Sequence, residues 1–210
     1  MRRMGLGDDA RTLVIPGLNG SGPGHWQWHW PRDNRDAAVV EQDDWTCPDL
    51  ASWRLRIETA LEQSDGVWIV AHSLGCVLTA NLAKSPLARH IRGALLVAPC
   101  DLEATEALHP CVLNFGRMPL DPLPFPSLMV ASLNDPYMPF ARAREVARCW
   151  QSPMIDIGEA GHININSGYG RWTAGYDLLA LLKATAGQRR AAGQDIRVRR
   201  PARAAGLSTH

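Results

Sequence analysis

Apolar residues gather in six short runs along the chain, separated by turn residues and by stretches with helical spacing. Residues 12–16, 67–72, 93–98 and 127–132 are continuous runs rich in Val, Ile and Leu. A strand reads this way when both faces of its sheet are covered. Residues 37–41 form a weaker run and 154–157 a short one. Between them, residues 49–63 place Leu50, Trp53, Ile57 and Leu61 on one helical face, with Asp49 near the start. Leu74, Val77, Leu78, Asn81 and Leu82 recur at helical spacing until Lys84-Ser85-Pro86 closes the segment. Residues 140–150 and 172–184 read as further helices, and the proline-rich stretch 99–126 as irregular. Strands alternating with helices predict an α/β fold: a three-layer α/β/α sandwich around a mostly parallel six-stranded sheet. In such sheets the chemistry sits at the carboxyl ends of the strands.

The residues that follow the predicted strands are therefore the candidates. The run "VWIVAHSLGCVL" at 67–78 passes from strand to helix at Ser73. A-H-S-L-G departs by one methyl, at Ala71, from the G-x-S-x-G elbow that holds a serine exposed above a sheet. The Leu74 N–H, at the helix N-terminus, faces the place where an oxyanion would develop. After the first strand, "PGLNGSGPGHWQWHW" is a glycine-rich loop whose backbone N–H groups can approach a ligand. Asp135 follows the fifth strand in "SLNDPY", and His162 follows the sixth in "GEAGHININSG". The order Ser…Asp…His belongs to α/β-hydrolases rather than to the two familiar serine protease folds. A serine hydroxyl needs a base within hydrogen-bond reach, and an imidazole needs an acid to fix its tautomer. Ser73, His162 and Asp135 supply those three types.

Several neighbours compete for these roles. Asp101, after the fourth strand, and Asp156, within the sixth, are weaker candidates for the acid. Cys76 is a rival nucleophile, but its place inside a helix reads as a small buried apolar residue. His72 adjoins the serine with its side chain expected to turn away, so it reads as packing, with a place in the substrate pocket as the alternative. Trp26, Trp28 and Trp30 read first as a helix packing its indoles on the sheet, and second, through Trp26, as a wall of the acyl pocket. His25 and His29 stand four apart, a zinc spacing, yet no third ligand accompanies them, so no metal or other cofactor is expected.

Composition narrows the class. The chain has 210 residues, 46% hydrophobic and 20% charged, with a net charge of +1. That suits one domain with a substantial core and gives no general pull toward nucleic acid or acidic membranes. No signal peptide and no membrane span is apparent. Five scattered cysteines without a C-x-x-C pair fit reduced thiols in the cytoplasm. Past residue 186 the chain carries six arginines and one acid, so 1–186 reads as the domain and 187–210 as a basic, disordered tail. A nucleic-acid or membrane role for that tail is the weaker reading, because no aromatics interleave with its charges.

Together these segments resemble the small single-domain α/β-hydrolases of the retinoblastoma-binding serine hydrolase and YdeN-like family. The resemblance rests on "PGLNGSGPGHWQWHW", "VEQDDW", "AHSLG", "LLVAPCD", "PFPSLMVASLNDPY" and "GHININSGYG", and covers residues 12–184. It implies a trimmed α/β-hydrolase fold without a large cap. It implies a triad of Ser73, Asp135 and His162, and an oxyanion hole from the backbone N–H groups of Leu74 and of Leu18 or Asn19. The activity implied is cofactor-independent hydrolysis of small esters or thioesters through an acyl-enzyme. The alternative is a catalytically weak binding or regulatory module on the same fold, and a weaker one an acyltransferase. The expected partner is a small-molecule substrate. Animal members are named for a protein partner that no feature of this chain carries over, and the oligomeric state is open.

Overall fold

The computed structural model describes residues 11–109 and 113–198, with the backbone alone from 189 onward. The described elements, in order, are β1 (Thr12–Ile15), α1 (Trp26–Asp33), β2 (Ala37–Val39), α2 (Leu50–Glu62), β3 (Val67–His72), α3 (Leu74–Asn81), β4 (Ile91–Val97), α4 (Leu102–Leu108), β5 (Ser127–Ala131), α5 (Phe140–Cys149), β6 (Met154–Asp156) and α6 (Ala174–Val198). Short 3₁₀ turns cover Leu82–Lys84, Pro86–His90 and Ile165–Ser167. The strands form one sheet in the order β2-β1-β3-β4-β5-β6, and every pairing is parallel.

The strand sequences explain the layering. Alternate residues of a strand point to opposite faces. Leu13, Ile15, Ile69, Ala71 and Leu96 face one side, where they meet Trp53, Ile57 and Leu61 of α2, Leu74 and Leu78 of α3, and Val146 of α5. Val14, Trp68, Val70, Leu95 and Val97 face the other, against Trp26 and Trp30 of α1 and Leu179 and Leu182 of α6. Both faces are buried, so the strands carry apolar residues at nearly every position. Each large aliphatic side chain so buried contributes about 1.5–3 kcal/mol.

Several boundaries differ from the sequence reading. β2 stops at Val39, and β4 begins at Ile91 rather than at residue 93. Gly93 lies inside the strand, where a Cβ would stand 2.6 Å from the Trp68 indole. The stretch 99–126 contains helix α4, capped by Asp101, whose Oδ1 accepts from the N–H groups of Glu103 and Ala104. Helix α6 runs to Val198, past the boundary at 186 suggested by composition; residues 199–210 lie outside the described residues. Among the described residues no helix is long and apolar enough to cross a membrane.

Candidate active site

Ser73 occupies the sharp turn between β3 and α3, with φ 54° and ψ −123°. A non-glycine residue there is strained by about 1–3 kcal/mol and persists only where its surroundings hold it. Those surroundings are specific. A Cβ on Gly75 would stand 2.3 Å from the Ile15 carbonyl oxygen and 2.6 Å from that of Pro16, so only glycine lets α3 start against the end of β1. Ala71, the departure from the usual elbow, is fully buried in β3 between Ile15 and Leu96, where its methyl belongs to the core.

Asp135 and His162 reach Ser73 from the ends of β5 and β6. His162 Nε2 lies 2.8 Å from Ser73 Oγ. His162 Nδ1 lies 2.9 Å from each carboxylate oxygen of Asp135. The carboxylate fixes the proton on Nδ1, which leaves Nε2 to accept from the serine hydroxyl. All three side chains are buried. Asp135 also accepts from the Tyr137 N–H at 2.9 Å, and the Tyr137 ring lies 4.3 Å from the imidazole of His162. The arrangement can draw a proton from the hydroxyl, hold it as imidazolium beside a carboxylate, and return it to a leaving group.

The loop carrying His162 is anchored on every side. Ser132 Oγ accepts from Ala160 N–H, Asn134 Oδ1 from Gly161 N–H and Ser167 Oγ from His162 N–H. His72 Nε2–H donates to the His162 carbonyl at 2.9 Å, and Trp26 Nε1–H to the Ile163 carbonyl at 2.8 Å. Ile163 is held at φ 49°, an unfavourable value for a β-branched residue that these bonds over-determine.

Two expectations change here. His72 does not turn away from the site: its ring lies 4.9 Å from that of His162, and it lines the cavity beside Ser73. Burial, then the neighbouring His162 and His25, push its pKa well below the ordinary histidine value, so it sits neutral. Trp26 forms no part of that cavity's wall; with Trp30 it is buried against the sheet, while Trp28 faces outward under the Arg32 guanidinium. The outward turn of Trp28 follows from helical spacing, since residues 26 and 30 share a face and 28 does not.

The first-strand loop presses on Ser73. A Cβ on Gly17 would stand 2.7 Å from the Ser73 Cβ and 3.1 Å from the Leu74 nitrogen. Leu18 follows at the cavity wall, and among the described residues no partner engages its N–H. Asn19 is excluded as a backbone donor, because its N–H is already bonded to the Trp45 carbonyl at 2.8 Å. The loop's shape is set by Gln27, whose side-chain amide bonds the carbonyls of Ile15 and Val70 at 3.1 Å each and so ties together the ends of β1 and β3.

The remaining candidates are accounted for. Asp101 caps α4 and pairs with Arg142 at 2.9 Å, and Asp156 accepts from Gly158 N–H; neither bonds His162. Cys76 is fully buried, and burial raises its thiol well above the ordinary value. Cys100, also buried beside Ser73, is pushed up to about 12 by burial. His25 caps α1 and His29 packs edge-on to Trp28 at 4.9 Å. Among the described residues no group of three or more His, Cys, Asp or Glu side chains could hold a metal ion. Sequence reading missed Thr105 and His109, both at the cavity wall, and the bond between His109 Nε2 and the Tyr137 hydroxyl at 2.9 Å. The cavity over Ser73 measures about 310 Å³.

Known proteins match this architecture. The serine hydrolase family matches residues 12–181. A YdeN-like hydrolase from Pectobacterium atrosepticum is 34% identical, with a TM-score of 0.75 over 84% of this chain and 92% of that one. The ydeN gene product of Bacillus subtilis is 19% identical, with a TM-score of 0.67 over 83% of this chain and 99% of that one. A thermophilic esterase from Thermogutta terrifontis shares the fold at 13% identity, with a TM-score of 0.60 over 85% of this chain and 82% of its own. No curated protein matches the chain. On the family match and the Pectobacterium likeness, the chain belongs to the serine hydrolase family as a YdeN-like hydrolase.

Proposed function

We propose that the protein is a serine esterase that cleaves small carboxylic esters or thioesters through an acyl-enzyme. The observation that carries this reading is the continuous hydrogen-bonded path from Ser73 Oγ through His162 to Asp135. His162 takes the hydroxyl proton as Ser73 Oγ bonds to the substrate carbonyl carbon. The Leu74 and Leu18 N–H groups receive the negative charge on the carbonyl oxygen. As the tetrahedral intermediate collapses, His162 passes its proton to the departing alcohol or thiol. Water then enters, loses a proton to His162 and attacks the acyl carbon, and Ser73 regains its hydrogen as the acid departs.

Every proton and every nucleophile of this cycle, apart from water, comes from side chains of the chain, so the proposed reaction needs no cofactor. The size of the cavity, about 310 Å³, supports a small substrate. The four cysteines among the described residues are unpaired, which supports a reducing, cytoplasmic setting. The test is hydrolysis of a short-chain aryl ester by the wild type and by Ser73→Ala, with circular dichroism confirming that the variant folds. The proposal requires turnover in the wild type and its loss in the variant; equal turnover in both refutes it.

A further inference from the structure

Besides His109, two histidines of the cavity, His25 and His72, take no part in the proton path from Ser73 to Asp135, yet both stand close to it. His25 lies at the N-cap of α1, where its Nδ1 accepts from the Gln27 N–H at 3.1 Å. Histidine is not among the favoured N-cap residues; Ser, Thr, Asp and Asn cap better. Accepting at Nδ1 leaves the ring proton on Nε2. Burial, reinforced by His162, lowers the His25 pKa to about 4, so the ring stays neutral and this tautomer persists. No side chain or carbonyl of the described residues bonds that Nε2, and it is not among their fully enclosed unpaired polar atoms, which are those of Gln42 and Trp68. The free N–H is therefore not enclosed, and His25 is one of the residues lining the cavity over Ser73.

His72 is its counterpart. Its Nε2–H is committed to the His162 carbonyl, so in the neutral ring Nδ1 is a bare acceptor, also without a partner and also not enclosed. The two rings lie 5.0 Å apart at their centroids. One presents a fixed donor and the other a fixed acceptor, next to the nucleophile. A hydroxyl group is both donor and acceptor, and matches such a pair. Among the described residues the wall around them includes Asn19, Asn164, Asn166 and Thr105, but neither lysine nor arginine nor carboxylate. An ionised group brought in would lose its water without gaining a counter-charge.

We propose that His25 Nε2–H and His72 Nδ1 together bind a hydroxyl of the substrate, making small, uncharged, hydroxyl-bearing esters the preferred substrate class. This assignment rests on the esterase reading of Ser73. It differs from a role in helix capping alone, because a cap needs only the Nδ1 acceptor.

The experiment compares matched esters. One pair is p-nitrophenyl butanoate and p-nitrophenyl 3-hydroxybutanoate; the other is propyl butanoate and glyceryl monobutanoate. The charged p-nitrophenyl hemisuccinate completes the set. In the wild type the hydroxylated member of at least one pair is expected to be favoured about tenfold in kcat/KM, chiefly through KM, the size two neutral hydrogen bonds supply. The hemisuccinate is expected to be the poorest aryl ester. In His25→Asn, which keeps an acceptor at the cap, the favoured ratio should fall to within about twofold of unity. A wild type that favours neither hydroxylated ester, or a variant that keeps the full preference, overturns the inference while leaving Ser73-dependent turnover of the plain esters intact. The wild-type comparison decides even if the variant does not fold. Absence of Ser73-dependent turnover with every ester overturns the esterase reading and this inference with it.

Discussion

The Nε2–H of His72 donates to the carbonyl oxygen of His162 at 2.9 Å, joining the last residue of β3 to the loop that carries the imidazole beside Ser73. One bond thus ties the strand that ends beside Ser73 to the loop that carries His162. His72→Phe keeps an aromatic ring but leaves the carbonyl without its donor. The expected cost is about 1–3 kcal/mol of stability. Urea unfolding checks it, alongside a fall in kcat for a short aryl ester.

The same burial makes the fold sensitive to acid. His25 and His72 both have pKa values lowered in the folded protein, His25 to about 4, from an ordinary value near 6.5. Above that ordinary value both rings are neutral whether or not the chain is folded, and stability is full. As pH falls below it, the unfolded chain takes up protons that the folded chain refuses, so stability drops. For His25 the loss is complete near pH 4. Each ring adds a slope approaching about 1.4 kcal/mol per pH unit in that window. Urea midpoints between pH 7 and pH 4.5 should fall accordingly, and His25→Asn should flatten the decline.

The elbow tolerates a methyl at one of its small positions and not at the other. Gly75→Ala would drive a Cβ into two backbone carbonyls, at an expected cost of about 3 kcal/mol or more and a melting temperature about 10 °C lower. Ala71→Gly, which restores the more usual motif, should instead lose about 1 kcal/mol by adding strand flexibility and removing a packed methyl. Thermal melts of the two variants check both signs.

In the proposed mechanism Asp135 acts through His162 rather than on the substrate. Asp135→Asn removes the acceptor that keeps the proton on Nδ1, and kcat should fall on the order of a thousandfold or more, with KM changing little. Steady-state kinetics separate the two parameters.

Much of this was legible before folding because it is local. The apolar runs at 67–72 and 127–132 announce strands covered on both faces, and Ser73, Asp135 and His162 follow strands in chain order. What escaped is non-local or masked by punctuation. The Asn19 N–H looked free, and only folding brings the Trp45 carbonyl to it. Alternation along β3 gives the face of His72, but not the His162 loop crossing over that face. The prolines between 99 and 126 make that whole stretch read as irregular, although Asp101 followed by Leu102, Glu103 and Ala104 is a capped helix start. The spacing of His25 from His29 suggests zinc, whereas its adjacency to the helix-opening Trp26 is what places it at a cap.

The proposed mechanism turns on activation of the Ser73 hydroxyl by His162. An organophosphorus fluoridate that reacts with activated serines, followed by peptide mass spectrometry, tests it most directly. One adduct is expected, on Ser73, gained in step with the loss of ester turnover, and none in Ser73→Ala or after His162→Ala. Folded wild-type protein that takes up no adduct, or that is labelled elsewhere while its activity disappears, would contradict it.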